Sequence, residues 1–124
     1  MKAYYEEFAS NIAAPCKLHV DKDLSAEIIG VIKGQRVHVI FKDESHRSFG
    51  LNTIVKVEAI GRPAHSEAKD VKEGWLVMSY ECTNGERVYR KVGEVVSDQT
   101  RTMIGFTNGT WSSVPCLERV TVIR

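Results

Sequence analysis

The tripeptide Thr-Asn-Gly occurs twice, at Thr83-Asn84-Gly85 and Thr107-Asn108-Gly109, and each copy lies between runs rich in Val, Tyr, Met, Ile and Phe. Asn and Gly both tolerate the positive φ that a tight reversal needs, so Asn-Gly between alternating apolar residues is a strong hairpin signal. Short alternating segments recur along most of the chain at the spacing of an all-β domain. The expected fold is mainly β: a small antiparallel barrel of seven or eight strands with an N-terminal α-helix, folded as a single domain over residues 1–124.

Composition narrows the function classes. The chain is 43% hydrophobic and 27% charged, which excludes disorder, and 124 residues suffice for one core without metal or disulfide support. Lys and Arg total 17 against 16 Asp and Glu, so no basic footprint points to nucleic acid or to a membrane surface. The opening Met1-Lys2-Ala3-Tyr4-Tyr5-Glu6-Glu7 has no continuous apolar core, and no stretch approaches the roughly 18 apolar residues of a span. A soluble, cytoplasmic protein is the expectation. Cys16, Cys82 and Cys116 are odd in number and lack Cys-x-x-Cys spacing, which argues for buried thiols over a disulfide framework or a structural zinc. No cofactor is expected. Asn108-Gly109-Thr110 matches a glycosylation sequon, but the turn accounts for it.

Tyr5, Phe8, Ala9 and Ile12 recur at helical spacing, with Glu6 and Glu7 where a first turn favours acids, so a helix is predicted over residues 3–13 and ends at Pro15. Cys16, Leu18 and Val20 alternate as a short strand before the polar turn Asp21-Lys22-Asp23. Ile28 to Ile32 fits a helical face as well as a strand; four β-branched residues in five decide for the strand. Val37, Val39 and Phe41 then alternate with Arg36, His38 and Lys42, and Thr53 to Ile60 forms another alternating strand. Between Gly61 and Gly74 the residues fit either a two-turn helix starting at Pro63 or a mobile loop. Glu118 to Ile123 is the last strand.

The two hairpins differ in register. A strict two-residue Asn84-Gly85 turn would set Met78 against Lys91 and Cys82 against Arg87 and leave neither face clean. A type I turn with a glycine bulge at Gly85 instead brings Val88 and Val92 beside Leu76, Met78 and Tyr80, and this bulge is predicted. For the second hairpin a two-residue turn puts Phe106 opposite Trp111.

Leu18-His19-Val20, the stretch Ile29-Gly30-Val31-Ile32-Lys33-Gly34-Gln35-Arg36-Val37-His38-Val39, Val55-Lys56-Val57 and Gly74-Trp75-Leu76-Val77-Met78-Ser79-Tyr80 together resemble a bacterial SH3-like (SH3b) domain over residues 18–80. The family's Arg after Leu-x-Val is Asp21 here, no Trp precedes Val55, and residues 61–73 have no counterpart. The resemblance implies non-catalytic binding of peptides or cell-wall fragments in an aromatic groove. Cell-wall binding sits poorly with the apparent lack of an export signal.

Candidate site residues form two groups. Arg87, Tyr89 and Lys91 alternate along one strand face, and with Trp75 they make a cationic and aromatic set able to hold a ligand, a partner or, in a third reading, a single nucleic-acid strand. The simpler reading is a solvated sheet face with Tyr89 as a partly buried spacer and Trp75 in the core, and the surrounding Glu81, Glu86 and Glu94 argue against nucleic acid. The second group is the loop Asp43, Glu44 and His46 with its serines, which assembles an acid and a histidine for general base chemistry, or else is a solvated hairpin tip. The histidines at 19, 38, 46 and 65 have no ligand spacing, so no metal site is expected. The leading reading is a non-catalytic module for a protein, peptide or small ligand, with a homodimer through an edge strand as an open assembly state. A small enzyme using the Asp43 to Ser48 loop is the alternative.

Overall fold

A computed structural model describes residues 3–21 and 24–124; Lys22 and Asp23 of the expected polar turn lie outside them. The chain is mainly β, as expected, with strands β1 (Ala3–Phe8), β2 (Cys16–Asp21), β3 (Leu24–Lys33), β4 (Arg36–Phe41), β5 (His46–Gly50), β6 (Ile54–Glu58), β7 (Ala64–Glu67), β8 (Leu76–Glu81), β9 (Arg87–Ser97), β10 (Arg101–Phe106), β11 (Trp111–Pro115) and β12 (Arg119–Ile123). They divide between two compact units, one of residues 6–58 and one of residues 59–124 with the start of β1. The stretch 18–80 that carries the family resemblance is split between them.

Within residues 6–58 the strand order is β5-β4-β3-β2-β6. Val37, Val39 and Phe41 point inward, at most 5% exposed, while Arg36 and His38 face water, as the alternation of β4 requires. Residues 28–32 are strand, and the ladder slips at Ile29, because Ile28 pairs with Phe41 and Gly30 with Ile40. This slip leaves Ile29 and Ile32 exposed while Ile28 is buried.

The helix expected over residues 3–13 is absent. Ala3–Phe8 is a strand and Ala9–Asn11 a single 3-10 turn. The buried residues are Tyr4, Glu7, Ala9 and Ile12; of the expected stripe Ala9 and Ile12 are buried, whereas Tyr5 and Phe8 are only half-buried and Tyr4 and Glu7 take the inward places. A short segment has little helical stability of its own, and partners outside it take its backbone groups: the N–H of Ala9 donates to Thr53 and that of Ser10 to Leu51. Glu7 is buried and accepts from the Phe8 N–H and the Asn11 amide.

In residues 59–124 the order is β9-β8-β12-β7, and the distal half of β9 also pairs β10, which pairs β11. A closed barrel is not formed: β5, β7 and β11 each have a strand on one side only among the described residues. Residues 61–74 are neither a two-turn helix nor a free loop. They hold β7, paired with β12, and a 3-10 turn at Ala68–Asp70. Ala68 and Val71 are buried together as their spacing suggests, but the open side of β12 offers ladder partners that a helix would forgo. Two apolar clusters form here, one of Val71, Val77, Val92, Ile104, Phe106 and Val122 and one of Leu76, Tyr89 and Ile123.

Three hairpins use one turn. At Phe41, Cys82 and Phe106 the N–H of the first residue donates to the carbonyl four residues on, at 2.9, 2.7 and 2.9 Å, and the fourth residue donates back to the first, at 2.9, 3.0 and 3.0 Å. This is a type I turn closed by a bulge residue in the left-handed region: Glu44 (φ 71°), Gly85 (φ 88°) and Gly109 (φ 85°). In each, the Asx side chain before the bulge, Asp43, Asn84 or Asn108, accepts from the N–H two residues on. The predicted bulge at Gly85 is present and sets Tyr80 against Val88; a second bulge at Ser79 then sets Met78 against Tyr89. The two-residue turn expected at Asn108-Gly109 is absent. Three residues turn, so Trp111 faces Gly105 instead of Phe106.

Candidate functional site

Trp75, Arg87, Tyr89 and Lys91 do not make one surface. Met78 pairs with Tyr89 and Leu76 with Lys91, so Tyr89 and Lys91 share the Leu76 face of the β8–β9 ladder. Trp75 packs on the opposite side against the Val77 and Val92 cluster, with the Arg124 guanidinium 5.1 Å from its ring centroid. Tyr89 is 0% exposed, so the aromatic patch drawn between it and Trp75 does not exist at the surface. Arg87 is half-buried and pairs with Glu81, its cross-strand neighbour, at 3.8 Å, which answers its charge within the sheet. The strand face is an internal packing surface because both sides of β8 and β9 are covered here, which alternation alone cannot reveal.

The Asp43 to Ser48 loop is a hairpin tip. Asp43 accepts from both the N–H and the hydroxyl of Ser45, and these bonds hold its carboxyl below the usual range. Glu44 is the bulge residue, and His46 opens β5 as an exposed side chain opposite Ile40. The loop's acid thus shapes the turn and does not orient the histidine. Among the described residues no group of three His, Cys, Asp or Glu side chains is placed to hold a metal ion. Of the cysteines, Cys16 and Cys82 are half-buried and Cys116 is buried, and all three are free thiols. Burial raises the Cys16 thiol above its ordinary value.

The surface that the sequence reading missed lies on β9, β10 and β11. Register places Val96, Met103 and Ser113 side by side in one row, and Glu94, Gly105 and Trp111 in the next. Val96, Met103 and Trp111 are 54%, 47% and 54% exposed, while the other face of the same strands buries Thr102, Ile104 and Phe106. The Trp111 ring lies over Gly105: a Cβ built there would stand 2.7 to 2.9 Å from three carbons of its six-membered ring. Glycine is therefore needed for the indole to lie against the sheet, where its outer face meets solvent. Arg101, from the row beyond Met103, donates from Nε to the Ser113 hydroxyl at 3.0 Å and from its terminal nitrogen to the Ser113 carbonyl at 2.9 Å. From the buried face Arg90 stacks on Phe106, 3.9 Å from the ring centroid, and donates to Thr110 and Ser112. The alternation Thr-Met-Ile-Gly-Phe marks β10 as a strand, but which side of it water meets depends on the core it packs against.

Compared with protein-family models, curated proteins and solved structures, the chain matches none. Among the described residues no helix is long and apolar enough to cross a membrane.

Proposed function

We propose that this protein is a non-catalytic binding module, and that it binds a protein or peptide through the Val96, Met103 and Trp111 face. The observation that carries this reading is three half-exposed apolar side chains in adjoining rows, one of them an indole held flat over Gly105. Trp, Met and Arg are enriched where proteins meet, and an aromatic anchor that is already ordered loses little entropy on binding. The patch presents on the order of 300 Å² of apolar side chain, the scale of a functional patch on a small monomer. That is well below the roughly 800 Å² per partner of a stable globular interface, which favours a slender ligand such as a peptide. The resemblance of residues 18–80 to a peptide-binding family favours a binding role in general, although the Val96, Met103 and Trp111 face lies outside that stretch.

Trp75→Phe leaves Trp111 as the sole tryptophan of the two in the chain. Titration of that variant with pooled extended heptapeptides should shift Trp111 emission to the blue, and Met103→Ser should weaken the response. Binding that survives undiminished in Trp111→Ala and Met103→Ser would remove the face from consideration.

A further inference from the structure

The outer edge of β11 adds a directional element to that face. Ser112, Val114 and Cys116 turn their backbone groups toward β10, as the bonds from Phe106 to Thr110 and from Cys116 to Thr100 require. Trp111, Ser113 and Pro115 therefore direct theirs away from the sheet, and β11 pairs with no strand on that side among the described residues. Of these outward groups two carbonyls are taken: Ser113 accepts from Arg101, and Pro115 accepts from the Glu118 N–H at 3.0 Å. Pro115 has no N–H. Among the described residues, what remains open is the N–H and C=O of Trp111 and the N–H of Ser113.

Edge strands of natural sheets are commonly blunted by charged side chains of their own. Residues 110–115, Thr-Trp-Ser-Ser-Val-Pro, carry none; the cation at this edge reaches it from β10. Arg101 forms no ion pair with a carboxylate among the described residues, and its donors rest on Ser113. A guanidinium so placed can exchange a neutral carbonyl for a carboxylate, a stronger and geometrically matched acceptor, and this exchange uncovers the Ser113 carbonyl for a ladder bond.

We infer that β11 is a strand-addition site for an extended acidic peptide, with Arg101 as the group that both guards the edge and recognises the acid. The incoming strand pairs with the outward groups of Trp111 and Ser113. Its carboxylate takes the Arg101 guanidinium, and its apolar residues on the same side lie against Trp111 and Met103. Glu94 stands across Gly105 from Trp111, on the far side of the face from the edge, so the charged side chain that reaches Ser113 is Arg101, with the Asp98 carboxylate at the β9–β10 turn as its electrostatic neighbour. The inference rests on the reading of the Trp111 face as the binding face.

The test uses two pools of acetylated, amidated heptapeptides with the same alternating Val, Ile, Phe and Thr positions, differing only in Glu or Gln at the central polar position. The whole chain should bind the Glu pool about fivefold more tightly than the Gln pool. Arg101→Gln should bring the two pools to equal affinity. Ser113→Pro removes an outward N–H that no internal ladder bond uses, and should weaken the Glu pool about tenfold. N-methylation of alternate peptide positions should do the same without touching the protein's folding. Equal binding of N-methylated and unmodified peptides overturns strand addition while leaving the Trp111 face intact. Absence of any Trp111 response overturns both readings. Equal affinity of the unmodified chain for both pools overturns the role of Arg101. Sedimentation that shows self-association lost in Ser113→Pro, with no peptide bound, gives the edge to a second copy of this chain and overturns the acidic peptide.

Discussion

Glu44 offers a test of the turn geometry that does not depend on function. It occupies with φ 71° the position held by Gly85 and Gly109 in the other two hairpins. A residue with a Cβ in that region is strained by roughly 1–2 kcal/mol, because the Cβ crowds the following carbonyl oxygen. Glycine relieves the strain but loses about 0.5–1 kcal/mol more backbone entropy on folding. The difference predicts that Glu44→Gly stabilises the protein by about 0.5–1 kcal/mol. With a urea slope of about 1.5 kcal/mol/M, the midpoint should rise by roughly 0.5 M. Glu44→Ala separates strain from side-chain loss and should leave stability nearly unchanged, since alanine keeps the Cβ. Gly85→Ala supplies the opposite sign: no atom lies within 4 Å of a Cβ there, so its cost of about 1 kcal/mol comes from the backbone alone. Urea denaturation followed by far-ultraviolet circular dichroism measures all three. A Glu44→Gly midpoint at or below that of the parent, beside a harmless Gly85→Ala, would refute the shared turn.

Gly105→Ala should lift the Trp111 ring by about an ångström, since ring carbons now 2.7 to 2.9 Å from the new Cβ must retreat to van der Waals contact. The ring is at the surface and free to move, so stability should change by less than about 1 kcal/mol while Trp111 emission in the Trp75→Phe background shifts to the red; an unchanged spectrum contradicts the stacking. The Tyr89 hydroxyl is buried without a hydrogen-bond partner among the described residues, so Tyr89→Phe should be neutral or stabilise by up to about 2 kcal/mol, and a large loss on thermal unfolding argues against that burial. Asp98 accepts from the N–H groups of Arg101 and Thr100, and Asp43 from Ser45, which holds both carboxyls below the usual aspartate value. A depressed folded pKa contributes stability that is present above the unfolded value of about 3.9 and is lost as pH falls through the lower folded one. Asp98→Asn should therefore flatten part of the acid limb of a stability profile below about pH 4, and an unchanged limb would exclude Asp98 as a source of it.

Local chemistry is legible in this sequence where neighbours along the chain settle the outcome. Asn-Gly placed the reversals at 84–85 and 108–109, alternation marked β4 and β6, and the conflict of faces in the first hairpin exposed the bulge at Gly85. The same reasoning was wrong for Phe106 and Trp111, because a third turn residue moves the register by one and reverses every face that follows. Residues 3–13 carry a helical spacing that the ladder overrides, since strand partners satisfy the backbone of a segment too short to hold a helix alone. The acid and histidine of the Asp43 loop are adjacent in sequence, yet the turn spends the acid on Ser45. Tertiary structure alone decided which faces are covered: Tyr89 is internal because apolar residues pack over it, and Trp111 is external because its face of β9, β10 and β11, which also carries Val96 and Met103, is left exposed. Hydrogen-bonding turns are written in a few consecutive residues, whereas burial depends on segments far apart in the chain, and that is why the exposed Trp111 face had to be seen in three dimensions.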